Sequence, residues 1–323
     1  MHIGVLYNPL SGRNKRQPLL FQGVYARYPA VQYVEVTTPA DVMKALEAFA
    51  SNHVNLVVVI GGDGTIHATV DALFNYRHFP EMPHLAVIPA GTANMIAGDV
   101  GLGKFEEATL EKLLALAASS LPVIGCVKRG ILRIRFPSDQ MPMHGMFFGA
   151  GAIYYGTQMG RETKQTIGRF GEWGAGLILA KFLLALATGS RKGLQPVTVG
   201  VSTGESTVKH REYLVLLVTT LERLFLGLRP FWGSTPGPLR FTSLQVPYRY
   251  LWRVLPALLR GKSHPLATTD HGYVSENLSK IRLMLSSGFV LDGEVHSAPY
   301  REQPIILELA GELSFVRLPF GVK

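Results

Sequence analysis

A near-continuous apolar run at residues 55–60 leads directly into Gly61-Gly62-Asp63-Gly64-Thr65. The apolar run reads as a strand buried on both faces, which is how strands of parallel sheets read. The residues after Thr65 read as a helix, with Ile66, Val70 and Leu73 on one face. The glycines between them are expected to turn with positive φ and to admit a ligand close to the backbone. Free N–H groups at a helix start favour an anion. Asp63 would repel a bare phosphate, so a Mg²⁺ ion or a hydroxyl is expected beside it. A plain turn capped by Asp63 is the alternative.

The same strand–helix rhythm fills the first 120 residues. Residues 2–7, 31–37 and 85–88 read as further strands. Thr38-Pro39-Ala40-Asp41 opens a helix, with Thr38 as N-cap, Pro39 in the first turn and Asp41 placed for a capping box. Residues 106–119 form a leucine-rich helix. This alternation predicts a parallel sheet covered by helices. Two more polar, glycine-bearing loops follow strands: Asn8-Pro9-Leu10-Ser11-Gly12, and Pro89-Ala90-Gly91-Thr92-Ala93-Asn94. Loops after parallel strands gather at one sheet edge, so the three together suit a nucleotide. Neither a Walker A sequence nor a dinucleotide GxGxxG stands in the expected place.

After Pro122 the pattern changes to strands, at 131–136, 146–150, 197–202, 213–219, 239–246, 281–285 and 305–316, with a helical insert at 172–187. Gly149-Ala150-Gly151 reads as a bulge or a site of tight packing. The fold class is therefore an α/β N-terminal nucleotide-binding domain with a parallel sheet, 1–122. A mainly antiparallel β-sandwich C-terminal domain, 123–323, follows it.

A single cysteine, Cys126, excludes an internal disulfide and reads as a buried thiol in a reducing cytoplasm. The chain opens on a strand instead of a secretory signal, and its longest apolar helix candidate, 174–186, is too short to span a bilayer. The net charge of +9 suits an anionic partner. Residues 248–262 mix Tyr, Leu and Trp with Arg and Lys. They read equally as an interfacial segment or as a core-packed helix with a basic edge. Arg13 and Lys15 read as solvated. The histidines show no metal-ligand spacing.

The order Asn-Pro-x-Ser-Gly, Gly-Gly-Asp-Gly-Thr and Pro-x-Gly-Thr-x-Asn resembles the diacylglycerol kinase catalytic family, which includes bacterial lipid kinases and sphingosine and ceramide kinases. A C-terminal mark, Leu291-Asp292-Gly293-Glu294, matches as well, although Asp292-Gly293 alone could be a hairpin turn. The resemblance implies a lipid kinase using ATP and Mg²⁺, with nucleotide and lipid meeting between the two domains. It places Asn8, Ser11, Gly12, Thr38, Gly61, Gly62, Asp63, Gly64, Thr65, Gly91, Thr92 and Asn94 on the nucleotide. Glu294 matches the general base, Asp292 would orient it or help hold Mg²⁺, and Asp63 would place the metal or serve as an alternative base. It further implies phospholipid synthesis at a membrane surface and allows a homodimer; with the charge and the single cysteine, the expectation is a cytoplasmic protein held peripherally at an anionic membrane, and the lack of an aromatic–basic strand platform argues against a nucleic-acid partner.

Two departures stand out. Met95 occupies a position where bacterial members commonly have Asp. The stretch 236–240 lacks the carboxylates of a structural Mg²⁺ site. An NAD kinase shares the glycine turn, and a non-catalytic binder on this fold would share every loop; the Pro-x-Gly-Thr-x-Asn loop and the Asp-Gly-Glu end favour the lipid branch.

Overall fold

The computed structural model describes every residue except 119–124, 139, 168–194, 204–206, 297–299 and 319–323. The chain forms two compact units, Met1–Arg129 with Glu312–Lys323, and Gly130–Gly311. The return of the last residues to the first unit was not part of the sequence reading. The expected helical insert at 172–187 lies outside the described residues.

In the first unit, β1 (Ile3–Tyr7) is followed by the short helices α1 (Gly12–Arg16) and α2 (Gln22–Arg27). Then come β2 (Gln32–Glu35), α3 (Pro39–Ser51), β3 (Leu56–Gly61), α4 (Asp63–Tyr76) and β4 (His84–Pro89). The helices α5 (Met95–Val100) and α6 (Glu107–Ala118) complete the series before β5 (Gly125–Arg135). The strands pair in parallel, in the order β2-β1-β3-β4. All six residues of β3 are buried, as its unbroken apolar run requires. One face of the sheet packs with α2 and α6 around Leu56, Val58, Ile60, Val24, Leu110 and Leu114.

Thr38 caps α3 as expected. Its hydroxyl accepts from Asp41 N (3.2 Å), and the Asp41 carboxylate accepts from Thr38 N (2.8 Å) and Thr37 N (3.0 Å). These backbone bonds, first that of Thr37 and then that of Thr38, hold the Asp41 pKa at about 2, below its ordinary 3.8. A carboxylate depressed by folding stabilises the native state above its unfolded pKa, and that contribution disappears as pH falls through the folded pKa. Asp41→Asn should therefore lower the melting temperature at neutral pH. The difference from wild type should shrink as pH falls from about 4 and vanish near pH 2, as calorimetry at several pH values would show.

Two features tie the later segments into this unit. The guanidinium of Arg129, on β5, meets the carboxylate of Asp99, on α5, at 2.8 Å, and both side chains are buried. Arg317 donates to the backbone carbonyl of Asp99. Cys126 is exposed, in contrast to the buried thiol expected, with its sulfur 3.7 Å from His84 Nδ1. The start of β5 is mostly uncovered, and burial along it begins at Arg129.

The second unit contains β6 (Met143–Gly145), β7 (Phe147–Gly151), α7 (Ala152–Ile167), β8 (Val197–Thr203), β9 (Lys209–Thr219) and β10 (Leu239–Gln245). It continues with α8 (Leu251–Leu258), β11 (Tyr273–Leu278), β12 (Lys280–Leu285), β13 (Phe289–Leu291), β14 (Glu294–His296) and β15 (Tyr300–Arg317). Its pairings are antiparallel: β9 meets β8 and β7 along one edge and β10 along the other, while β12 lies between β8 and β15. In β12 every second residue is buried, and Ile281, Leu283 and Leu285 enter a core with Phe148, Leu216 and Phe289. Gly149 and Gly151 serve close packing. A Cβ on Gly149 would lie 2.6 Å from the Ile153 side chain, and Gly151 has φ +71.

Candidate functional site

In the first unit the strand ends are level, with Tyr7 beside both Glu35 and Ile60, and Gly61 beside Pro89. The loops carrying Asn8–Gly12, Thr38, Gly61–Thr65 and Gly91–Asn94 therefore leave one sheet edge together. Hydrogen bonds lock three of them. Asn8 Nδ2 donates to Thr65 Oγ1 (2.8 Å), Arg13 N to Ala90 O (2.9 Å), and Ala90 N to Gly61 O (2.8 Å). Asn94 closes its own loop, accepting from Gly91 N (2.9 Å) and donating to Gly91 O (2.8 Å).

None of the site glycines has positive φ, contrary to expectation; Asn94 instead takes the left-handed conformation, at φ +48. The glycines are required by close approach. A Cβ on Gly91 would sit 2.6 Å from Gly62 Cα, and one on Gly61 would sit 2.6 Å from Thr65 Cβ. The backbones of two loops touch, and no side chain larger than hydrogen fits between them.

The Asp63 carboxylate accepts from Met95 N and Ile96 N, both at 3.0 Å. It thereby caps α5 and joins the second loop to the third. Position 95 contributes this contact through its backbone, so methionine serves there. The helix α4 begins at Gly62 with no side-chain cap, and α1 begins at Ser11 without one. Two helix starts thus face the edge where an anion is favoured. The hydroxyl of Thr38 is engaged in capping α3.

Sequence reasoning missed two residues of this framework. Asn14 is fully buried, and its Nδ2 donates to Asn8 O (2.6 Å) and Ile60 O (3.2 Å), so it holds the first loop against the second. Its position in a Gly-Arg-Asn-Lys-Arg run looks like a solvated basic turn. Arg13 is half-buried, lies 5.8 Å from the Phe105 ring and donates to Pro89 O at 3.4 Å. Burial, followed by nearby Arg16, lowers its pKa. Lys15 is exposed as expected.

In the second unit, β13 and β14 form a hairpin whose two turn residues, Asp292 and Gly293, have φ +49 and +87. Glu294 opens β14 opposite Leu291 and is half-buried. The buried Asp292 carboxylate accepts from Met146 N (3.0 Å) and Phe147 N (2.8 Å). It anchors the hairpin to the strand beginning at Phe147.

The donor set does not form a resident Mg²⁺ site. Asp63 and Asp292 both spend their carboxylates on backbone amides, and no group of three acidic, histidine or cysteine side chains suited to a metal occurs among the described residues.

Level strand ends, interlocked glycine loops and uncapped helix starts lie together at one edge of the α/β unit, here in one chain with an antiparallel β unit. Residues 2–125 match the family model of the diacylglycerol kinase catalytic domain. A Shewanella frigidimarina protein named "Probable lipid kinase YegS-like" is 28% identical over 170 residues, 52% of this chain and 47% of that protein. A Bacillus subtilis diacylglycerol kinase is 34% identical over 102 residues, 30% of this chain and 32% of that one. The chain thus spans about half the length of the first relative and a third of the second. A crystal structure of a Bacillus anthracis diacylglycerol kinase superposes with a TM-score of 0.59 at 17% identity, covering 96% of this chain and 95% of that one. Yeast NADH kinase superposes with a TM-score of 0.53 at 11% identity, covering 99% of this chain and 84% of that one. Both likenesses are of fold. The antiparallel β-rich second unit agrees with the expected class.

Proposed function

We propose that this chain is an ATP-dependent lipid kinase that transfers the γ-phosphoryl group to the hydroxyl of a membrane lipid, either diacylglycerol-like or a ceramide or sphingoid base. The observation that carries the reading is the interlocked loop edge with two uncapped helix starts. The Ser11 and Thr92 hydroxyls and the N–H groups there suit nucleotide phosphates. The lipid oxygen bonds to the γ-phosphorus as the bond from that phosphorus to the β-bridging oxygen breaks, and ADP leaves. The hydroxyl proton passes to the Glu294 carboxylate, since an alcohol is a poor nucleophile while it keeps that proton. Asp292 positions the hairpin that presents Glu294. Asp63 fixes the second and third loops. Mg²⁺ would arrive with the nucleotide, where it neutralises phosphate charge.

Radiolabelled phosphate transfer from Mg-ATP to a panel of lipids in mixed micelles, with NAD alongside, tests the reading. One labelled lipid is the expected result. Label in NAD, or in no acceptor while ATP still binds, would overturn it.

A further inference from the structure

The helix α8 is amphipathic and has both faces occupied. Leu251, Val254 and Leu258 are buried against Leu214, Leu244 and Tyr273. The opposite face presents Trp252, 56% exposed, together with Arg253. Tyr250, at the helix start, is 45% exposed. A neighbouring loop presents Leu226, the most exposed large apolar side chain described, at 71%. The loop is fastened to the end of the helix: Arg229 N donates to Leu259 O at 3.0 Å, and a Cβ on Gly261 would lie 3.1 Å from Arg229 O. Leu226 and Tyr250 both hold left-handed backbone, at φ +57 and +58, and both direct an apolar group outward.

The charge around these groups is predominantly positive, with exposed Glu222 and Asp270 only at the two ends of the segment. From 223 to 269 the sequence contains Arg223, Arg229, Arg240, Arg249, Arg253, Arg260 and Lys262 and no Asp or Glu. All of these except Arg240 are exposed; Arg240 packs on the Phe231 ring at 5.4 Å. Single exposed apolar side chains are ordinary. Trp and Tyr among an excess of exposed cations match the headgroup layer of a bilayer, where aromatic rings sit and anionic lipids supply the countercharge.

We propose that the outer face of α8 and the 225–229 loop dock the protein on an anionic bilayer, with Trp252, Tyr250 and Leu226 entering the headgroup layer. This deepens the lipid-kinase reading and rests on it for its purpose, but the surface itself is tested separately. Each arginine close to an anionic surface adds about fivefold to binding.

The test is co-sedimentation with phosphatidylcholine vesicles made with or without phosphatidylglycerol, at low and high salt. Wild type should bind the anionic vesicles, release at high salt and show a blue shift in tryptophan emission that Trp252→Phe removes. The Arg253→Glu/Arg260→Glu and Leu226→Ala/Trp252→Ala double variants should bind at least tenfold more weakly. Both should keep the wild-type melting temperature and activity on a water-dispersed short-chain lipid. Wild-type binding by either variant, or no wild-type binding to anionic vesicles, would overturn the proposal, as would salt-sensitive binding to nucleic acid alone. Loss of all phosphoryl transfer with vesicle binding intact would count against the kinase reading and leave the docking surface standing.

Discussion

Glu294→Gln should lower turnover by roughly 10²- to 10⁴-fold, the usual contribution of a positioned general base. Glutamine keeps the size of the side chain but cannot accept the hydroxyl proton. Glu294 is half-buried at the start of β14, so the melting temperature should stay near that of wild type. The neighbouring carboxylate provides the contrast. Asp292 is buried and accepts from two backbone amides, Met146 N and Phe147 N. Asp292→Ala would leave both without that acceptor, at about 1–3 kcal/mol each. Denaturant unfolding with steady-state kinetics separates the two: the first variant loses rate, and the second loses stability as well. Full turnover in Glu294→Gln would move the base role to another group.

Gly91→Ala should weaken nucleotide binding at least tenfold and cost about 1–3 kcal/mol of stability, the usual range for overpacking. The cause is steric, because φ at Gly91 is not positive. The new Cβ would stand 2.6 Å from Gly62 Cα and 2.8 Å from Asn94 Oδ1. The loops must separate, and the contact of Ala90 N with Gly61 O separates with them. Gly98→Ala is the control. An added Cβ there meets nothing within 4 Å, and alanine favours a helix, so stability should hold or rise. Calorimetry of nucleotide binding on both variants checks the pair. Equal affinities would show that the Gly62–Gly91 approach does not shape the site.

Much of the first unit was legible because its signals are local. Apolar runs marked β1, β3 and β4, and the Thr38–Asp41 box marked the start of α3. The three loops met because parallel strands end at one edge. What the glycines do there was misread, since a sequence shows that a residue lacks a side chain but not which backbone needs the space. Asn14 and Asp63 were obscured for a related reason: their roles lie in bonds to backbone groups far along the chain. The second unit was less legible. Three-residue strands such as β6, β13 and β14 are too short to show alternation, and α7 follows a glycine-rich strand without a capping signal. In residues 248–262 the sequence balanced core packing against an outward face, and α8 has both: Val254 is buried and Trp252 is exposed.

The last strand bears on how the protein is made. Phe315, on β15, pairs in parallel with Leu85, and Val316 joins the core of the first unit. Both residues are synthesised after the entire second unit. As the chain leaves the ribosome, the first unit waits with the flank of β4 uncovered, an open strand able to pair with other chains. Messages cut short between residues 129 and 312 would yield a domain that carries all three glycine-bearing loops and still lacks the strand that finishes its sheet.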